Sequence, residues 1–341
     1  MLRLKRATVL VAGSFDALEQ RLAIQVDGRR RAAIADIGLV GAAQAGDDVI
    51  VNVEAVELGL GSGGFDIVHV NLTRGLDGEG TPRAHVMKLN YTSLQHAVAP
   101  VEEGDAEATG PALALPLAGP AAVLALHGQL APMAWAFGRS GGGARLGYVQ
   151  TGGGALPGGH SCVVRELRES GLLAGHLTAG PAFGGADGEA ITTAAALHHG
   201  LTALGWDAAL AGPGPGILGS GSALGRGGLQ ALDSAHTALA LGCRTLLVPR
   251  MSCTDGRARH RGLSHHTSTV LDLLLAPVTV AVPEGHVPER GDRHEWIQWP
   301  ADLAEYAASG LPTRSMGRED PLFFAAALAA GGALAGMIGD R

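Results

Sequence analysis

Between residues 120 and 282, short apolar runs alternate with stretches of helical character. No other feature of the 341-residue chain narrows its fold as much. The runs at 123–127 (VLALH), 145–150 (RLGYVQ), 176–179, 208–211, 245–249 and 278–282 each suit a strand. The stretches around 131–137, 161–170, 189–204, 229–241 and 265–275 suit helices. Strands that alternate with helices predict a mainly parallel sheet covered on both faces: a doubly wound, Rossmann-like α/β domain over residues 120–341. Right-handed crossovers bring the strand-to-helix loops to one edge of such a sheet, where open α/β sheets bind their ligands. The run at 278–282 closes the predicted series. The apolar C-terminal stretch PLFFAAALAAGGALAGMIG reads as a packed helix, because Ala and Gly gain little from lipid and no aromatic anchors flank it.

The first 95 residues follow a different rule. ATVLVAG, QRLAIQV, AAIADI, DVIVNVEAVELGL and FDIVHVNL are rich in Val and Ile and are separated by turn signals, among them Asp27-Gly28 and Gly46-Asp47. Five short strands without helices predict a small all-β, barrel-like domain over 1–95. Residues 96–119, rich in Ala, Pro and acidic side chains, read as a linker.

The chemistry-bearing residues concentrate in the loops after the predicted α/β strands. The densest is RMSCTDGRARHRGLSHHT, residues 250–267. Ser264 is a natural N-cap for a helix starting at His265-His266-Thr267. An anion there would meet helix N–H groups, a hydroxyl and nearby guanidinium groups. Arg257, Arg259 and Arg261 alternate, so an extended segment would put them on one side and His260 on the other. Adjacent histidines stand about 100° apart on a helix, so His265 and His266 grip one ion poorly, and the spacing matches no zinc pattern. The loop therefore reads as an anion pocket, as a metal site using Asp255, His260 and one of the pair, or as a solvated connection; no metal is assigned.

Two glycine loops add to this edge. Gly152, Gly153 and Gly154 (in TGGGALP) can present backbone N–H groups to an oxyanion, or simply turn. Gly214 and Gly216 belong to GPGILG, a formal GxGxxG match. It lies in the fourth strand-helix unit, carries a stiffening Pro215 and lacks the acidic ribose partner, so it is weak support for a dinucleotide. Gly159-His160-Ser161-Cys162 is not a GxSxG elbow. His198 and His199 read as surface residues of a helix.

Composition sets outer limits. Hydrophobic residues at 46% and charged residues at 17% suit packed domains rather than disorder. A net charge of −7 speaks against a general nucleic-acid binder. Three cysteines without CxxC spacing fit a reducing, cytoplasmic setting. The basic start followed by a short apolar run reads as a first strand rather than a leader.

Several of these segments together resemble a bacterial family known as a domain of unknown function, DUF3866: GDDVIVNVEAVELGLGSGG, HVMKLNYTSLQ, TGGGALP, AFGG, GPGPGILGSGSALG and DGRARHRGLSHHT. The resemblance covers nearly the whole chain and implies domain layout rather than a reaction. The family pattern has an Asp in the TGGGALP loop where this chain carries Gly152.

The expectation is a cytoplasmic enzyme, or enzyme-like protein, that binds a small anionic metabolite at the sheet edge, with no membrane or nucleic-acid partner and room for a homo-oligomer. The cofactor is left unknown. His260, His265 and Asp255 are the acid/base candidates. Gly152, Gly153, Gly154, Gly214, Gly216, Arg257, Arg259, Ser264, His266 and Thr267 are the binding candidates. The alternatives are a non-catalytic sensor or assembly protein with a structural polar loop, and a metal-dependent hydrolase.

Overall fold

The computed structural model describes residues 1–16, 18–60, 63–82, 84–103, 113–286, 291 and 293–338. It divides into two compact units, Met1–Ala99 and Pro100–Arg341. The middle of the predicted linker, residues 104–112, lies outside the described residues. Of the rest, His96–Val98 is a strand of the first unit, and Glu102 belongs to the second, where its carboxylate accepts from Ile191 N at 2.7 Å.

The first unit is a closed five-stranded barrel: β1 (Leu4–Asp16), β2 (Glu19–Val26), β3 (Arg29–Asp36), β4 (Asp48–Asn52) and β5 (Asp66–Asn71), in the order β1-β2-β3-β5-β4. Pairing of β4 with β1 closes it, and β3 with β5 is its parallel pair. Alternation fills the interior: Val9, Ile24, Val26, Ala35, Val49 and Val51 are buried. Asp27 (φ 48°) and Gly28 (φ 74°) make the two-residue turn between β2 and β3, with the positive φ at both positions that tight hairpins need. The run DVIVNVEAVELGL is a strand only to Asn52. The Asn52 side chain accepts from Glu54 N at 3.1 Å and starts a helical turn at Glu54–Glu57, while buried Val53 packs into the barrel core. A small hairpin, β6 (Val86–Lys88) with β7 (His96–Val98), completes the unit.

The second unit carries, in chain order, β8 (Ala121–Val123), β9 (Leu146–Thr151), β10 (Gly175–Ala179), β11 (Glu189–Ala190), β12 (Ala208–Pro213), β13 (Thr245–Leu247), the pair β14 (Met251–Ser252) and β15 (Gly262–Leu263), β16 (Thr279–Pro283) and β17 (Glu295–Trp299). Eight of these form one parallel sheet in the order β11-β10-β9-β12-β8-β13-β16-β17. The predicted series thus continues one strand beyond 278–282, to β17.

Successive strand residues point to opposite faces, and each face has its own core. Ala122, Leu124, Tyr148, Leu210 and Leu246 pack toward one side, where helices over Leu130–Ser140 and Pro321–Gly336 lie. Ala121, Val149, Ala209 and Ala211 pack toward the other, with helices over Thr193–Thr202 and Gln230–Ala240. The Ala- and Gly-rich C-terminal helix is buried on every side, which explains its composition: a Cβ on Gly331 would sit 2.4 Å from Met133 O, so the helices touch backbone to backbone. Among the described residues no helix is long and apolar enough to cross a membrane.

Candidate functional site

Strand order fixes where a crevice opens. β8 leads through its helix on one face toward β9, whereas its neighbour β13 leads through the helix His265–Leu273 on the other face toward β16. The two connections diverge, so the carboxyl ends of β8 and β13 bracket the topological switch point. Gln129, after β8, ties the two ends together: its Oε1 accepts from the Ala125 and Leu126 amides, and its Nε2 donates to Pro249 O at 3.2 Å.

The polar stretch begins one residue later. Its arms are β14 and β15, and its tip is a 3-10 turn at Ala258–His260. That turn corrects the extended reading of the arginines. Arg257 reaches back to the Asp255 carboxylate and Arg261 to the Asp255 carbonyl, while Arg259 is exposed. Asp255, only 1% exposed, also accepts from Arg250 Nη2 (3.2 Å) and Arg318 Nη2 (3.0 Å). Hydrogen bonding to Arg257, together with the neighbouring guanidinium charges, holds its carboxyl well below the usual carboxylate range despite burial. Three arginines thus hold the Asp255 carboxylate, an arrangement that suits a structural anion better than a group that exchanges protons.

The histidines converge. Ser264 caps the helix as expected, its Oγ accepting from His266 N at 3.2 Å, and the same Oγ lies 2.7 Å from His260 Nδ1. His260, His265 and His266 each bring one ring nitrogen within 4.8 Å of the others. Helix geometry alone leaves His265 and His266 a poor pair for one ion; His260, folded back by the 3-10 turn, supplies a third corner. His260 is fully buried, yet among the described residues its Nε2 has no hydrogen-bond partner, and neither has His265 Nε2. Burial first, then the nearby arginines, pushes His260 down to about 4 and His266 down to about 2, and lowers His265. In each case the surroundings favour the neutral ring.

Two buried guanidinium groups stand beside them. Arg250, 3% exposed, donates from Nη1 to His266 Nδ1 at 3.1 Å. Its backbone N–H occupies the Thr267 hydroxyl at 2.8 Å, which gives Thr267 a structural role. Arg226, 7% exposed, donates to the carbonyls of Ala223 and His266. Burial lowers its pKa, and among the described residues it meets no carboxylate.

The glycine loops meet backbone to backbone. A Cβ on Gly154 would lie 2.2 Å from Gly214 O, and one on Gly214 would lie 2.3 Å from Ala155 O. Gly153 (φ 97°) would carry its Cβ 2.3 Å from Gly227 O. Close approach thus accounts for Gly153, Gly154 and Gly214. Gly152 faces the Pro181 ring at 3.1 Å, and Gly216 supplies a turn with φ 69°. These contacts join the loops after β9 and β12, and Arg226, next to Gly227, ties them to the helix of His265 and His266.

A second buried cluster lies near the same edge. His127 Nδ1 faces Pro213 O at 3.3 Å and so donates; His127 Nε2 then accepts the Ser161 hydroxyl at 2.9 Å. His176 stacks on Tyr148. Burial pushes His127 down to about 4 and His176 to about 3, so both are folded as neutral rings. The folded pKa values lie below the unfolded value of about 6.5. Their stabilisation is complete above that value and is lost as pH falls toward 4, at about 1.4 kcal/mol per pH unit for each ring. Urea unfolding at pH 7, 6 and 5 checks this; a flat stability profile would refute it.

Sequence reading passed over Arg226 and Arg250. Arg250 opens the stretch 250–267 but is not among its binding candidates, Arg226 lies outside it, and in a chain with only two lysines single arginines carry little signal. The family described as "Protein of unknown function (DUF3866)" matches residues 32–331, and the chain belongs to that family. No curated protein and no solved structure matches the chain.

Proposed function

We propose that this DUF3866 protein binds a small anionic metabolite at the carboxyl edge of its parallel sheet and acts on it as an enzyme. One observation carries the reading: Arg226, a buried guanidinium without a carboxylate partner among the described residues, beside the three-histidine cluster. A buried, uncompensated charge is costly, and a bound anion offsets it. Neutral His260 and His265 are suited to hydrogen-bond such a ligand, and His265, half-buried, is the better placed of the two to exchange a proton with it. The helix start capped by Ser264 faces the same place.

A thermal-shift screen with phosphorylated and carboxylated metabolites tests this. At least one anion is expected to raise Tm, and Arg226→Ala is expected to weaken its binding about 10- to 100-fold, the equivalent of one charged hydrogen bond. No stabilising anion in the panel counts against the reading. The second reading, a non-catalytic sensor or assembly protein, draws on Asp255, whose pairing with Arg250, Arg257 and Arg318 also suits a purely structural loop. A ligand that binds without being consumed favours it.

A further inference from the structure

We infer that the three histidines present N–H groups to one oxygen of a phosphoryl dianion, either free phosphate or a phosphorylated metabolite. This inference rests on the anion-site reading above. The argument begins with Arg250. A guanidinium has no acceptor, so His266 Nδ1, 3.1 Å from Arg250 Nη1, must accept. The neutral ring therefore carries its proton on Nε2. Ser264 Oγ already accepts from His266 N–H; its own proton, turned toward His260 Nδ1 at 2.7 Å, makes that nitrogen an acceptor. His260 then also carries Nε2–H, a fully buried donor that meets no acceptor among the described residues. His265 Nε2 is unpartnered as well.

Spacing separates an oxygen from a metal. An acceptor oxygen about 2.8 Å from each of three donors spans donor separations up to about 4.8 Å. A zinc ion at about 2.0–2.1 Å spans at most about 3.6 Å. One ring nitrogen of each histidine lies within 4.8 Å of the others, a spread that an acceptor oxygen spans as the rings stand. A metal would moreover need a lone pair on His266 Nε2, which the Arg250 contact removes.

Charge selects the class of anion. Arg226, Arg250, Arg257 and Arg259 act on the three histidines, with Asp255 the carboxylate among these charges, so positive charge predominates around the rings. A phosphoryl group carries about −1.5 to −2 at neutral pH.

The test is calorimetric titration of the full-length protein with inorganic phosphate, glycerol phosphate and succinate, with long-range imidazole ¹H–¹⁵N spectra. Phosphate is expected to bind and to shift His260 and His266 signals that carry the proton on Nε2. His260→Ala is expected to weaken binding at least tenfold. His265→Ala, at a half-buried position, is expected to do the same in a protein that keeps its wild-type Tm. Glycerol phosphate binding at least tenfold tighter than phosphate identifies a phosphorylated metabolite; equal or weaker binding identifies free phosphate. Succinate binding that depends on Arg226, without phosphate binding, overturns the phosphoryl assignment and leaves the anion site standing. Stoichiometric zinc held by the three histidines overturns it too. Absence of any anion binding removes both.

Discussion

Replacing Asp255 with asparagine is expected to lower the stability of the α/β unit by about 3–5 kcal/mol, the cost of leaving a buried ion pair half made. The carboxylate accepts from Arg257 Nε and Nη2 at 2.9 Å each, from Arg318 at 3.0 Å and from Arg250 at 3.2 Å. Arg257 and Arg318 are half-exposed and can turn toward water. Arg250 cannot: it is buried, its Nε has no partner, and it also holds His266. Arg257→Ala should therefore cost no more than about 1 kcal/mol, as for other solvent-screened pairs. The pH dependence has a definite sign. The folded pKa of Asp255 is depressed, so its stabilisation is present above the unfolded value of about 3.9 and is lost as pH falls below it. Urea unfolding of the wild type and Asp255→Asn at pH 7, pH 4 and pH 3 measures both: the difference between them is expected to hold from pH 7 to pH 4 and to shrink by pH 3. A loss under 1 kcal/mol for Asp255→Asn at pH 7 would show that the arginines are satisfied without it.

Gly227→Ala is expected to cost about 1–3 kcal/mol through overpacking and to weaken anion binding at least tenfold. The added Cβ would sit 1.7 Å from Gly153 O, a backbone atom that no rotamer can move aside. That contact belongs to a short ladder: Gly227 N donates to Leu218 O at 2.7 Å, and Leu218 N to Gly153 O at 3.3 Å. Forcing the two loops apart carries the neighbouring Arg226 away from His266 O. Gly216 is the control. Its φ of 69° makes alanine costly by about 1–2 kcal/mol, but nothing lies within 4 Å of the new Cβ. Gly216→Ala should therefore lose stability and keep anion binding. Equal loss of binding in both variants would contradict the loop-contact account.

Local pattern reveals what depends on near neighbours in sequence. Period-two alternation in 1–72 gives the barrel strands, and Asp27-Gly28 gives their hairpin. Ser264 announces the start of its helix because a cap needs only three residues of chain. Glu189–Ala190 falls inside a predicted helix but is a two-residue edge strand, paired to β10 through Thr178 and Ala179. Such pairing is a long-range event with no local signature.

The candidate site shows the same division. The sequence by itself determined the barrel, the parallel α/β sheet, the edge at which its loops meet and the stretch 250–267 as the richest of them. These follow from hydrophobic periodicity, turn chemistry and the handedness of crossovers, all of which are local or universal. Only the tertiary structure decided what each group in that stretch does. A one-turn reversal at Ala258–His260 carried His260 onto His265 and His266 and brought Arg257 and Arg261 back to Asp255. Asp255 became a clamp because Arg318 arrives from 63 residues away. Arg226 became significant because folding buried its charge beside that cluster. Burial and partner choice depend on residues distant in the chain, so protonation, charge balance and ligand chemistry are settled by packing.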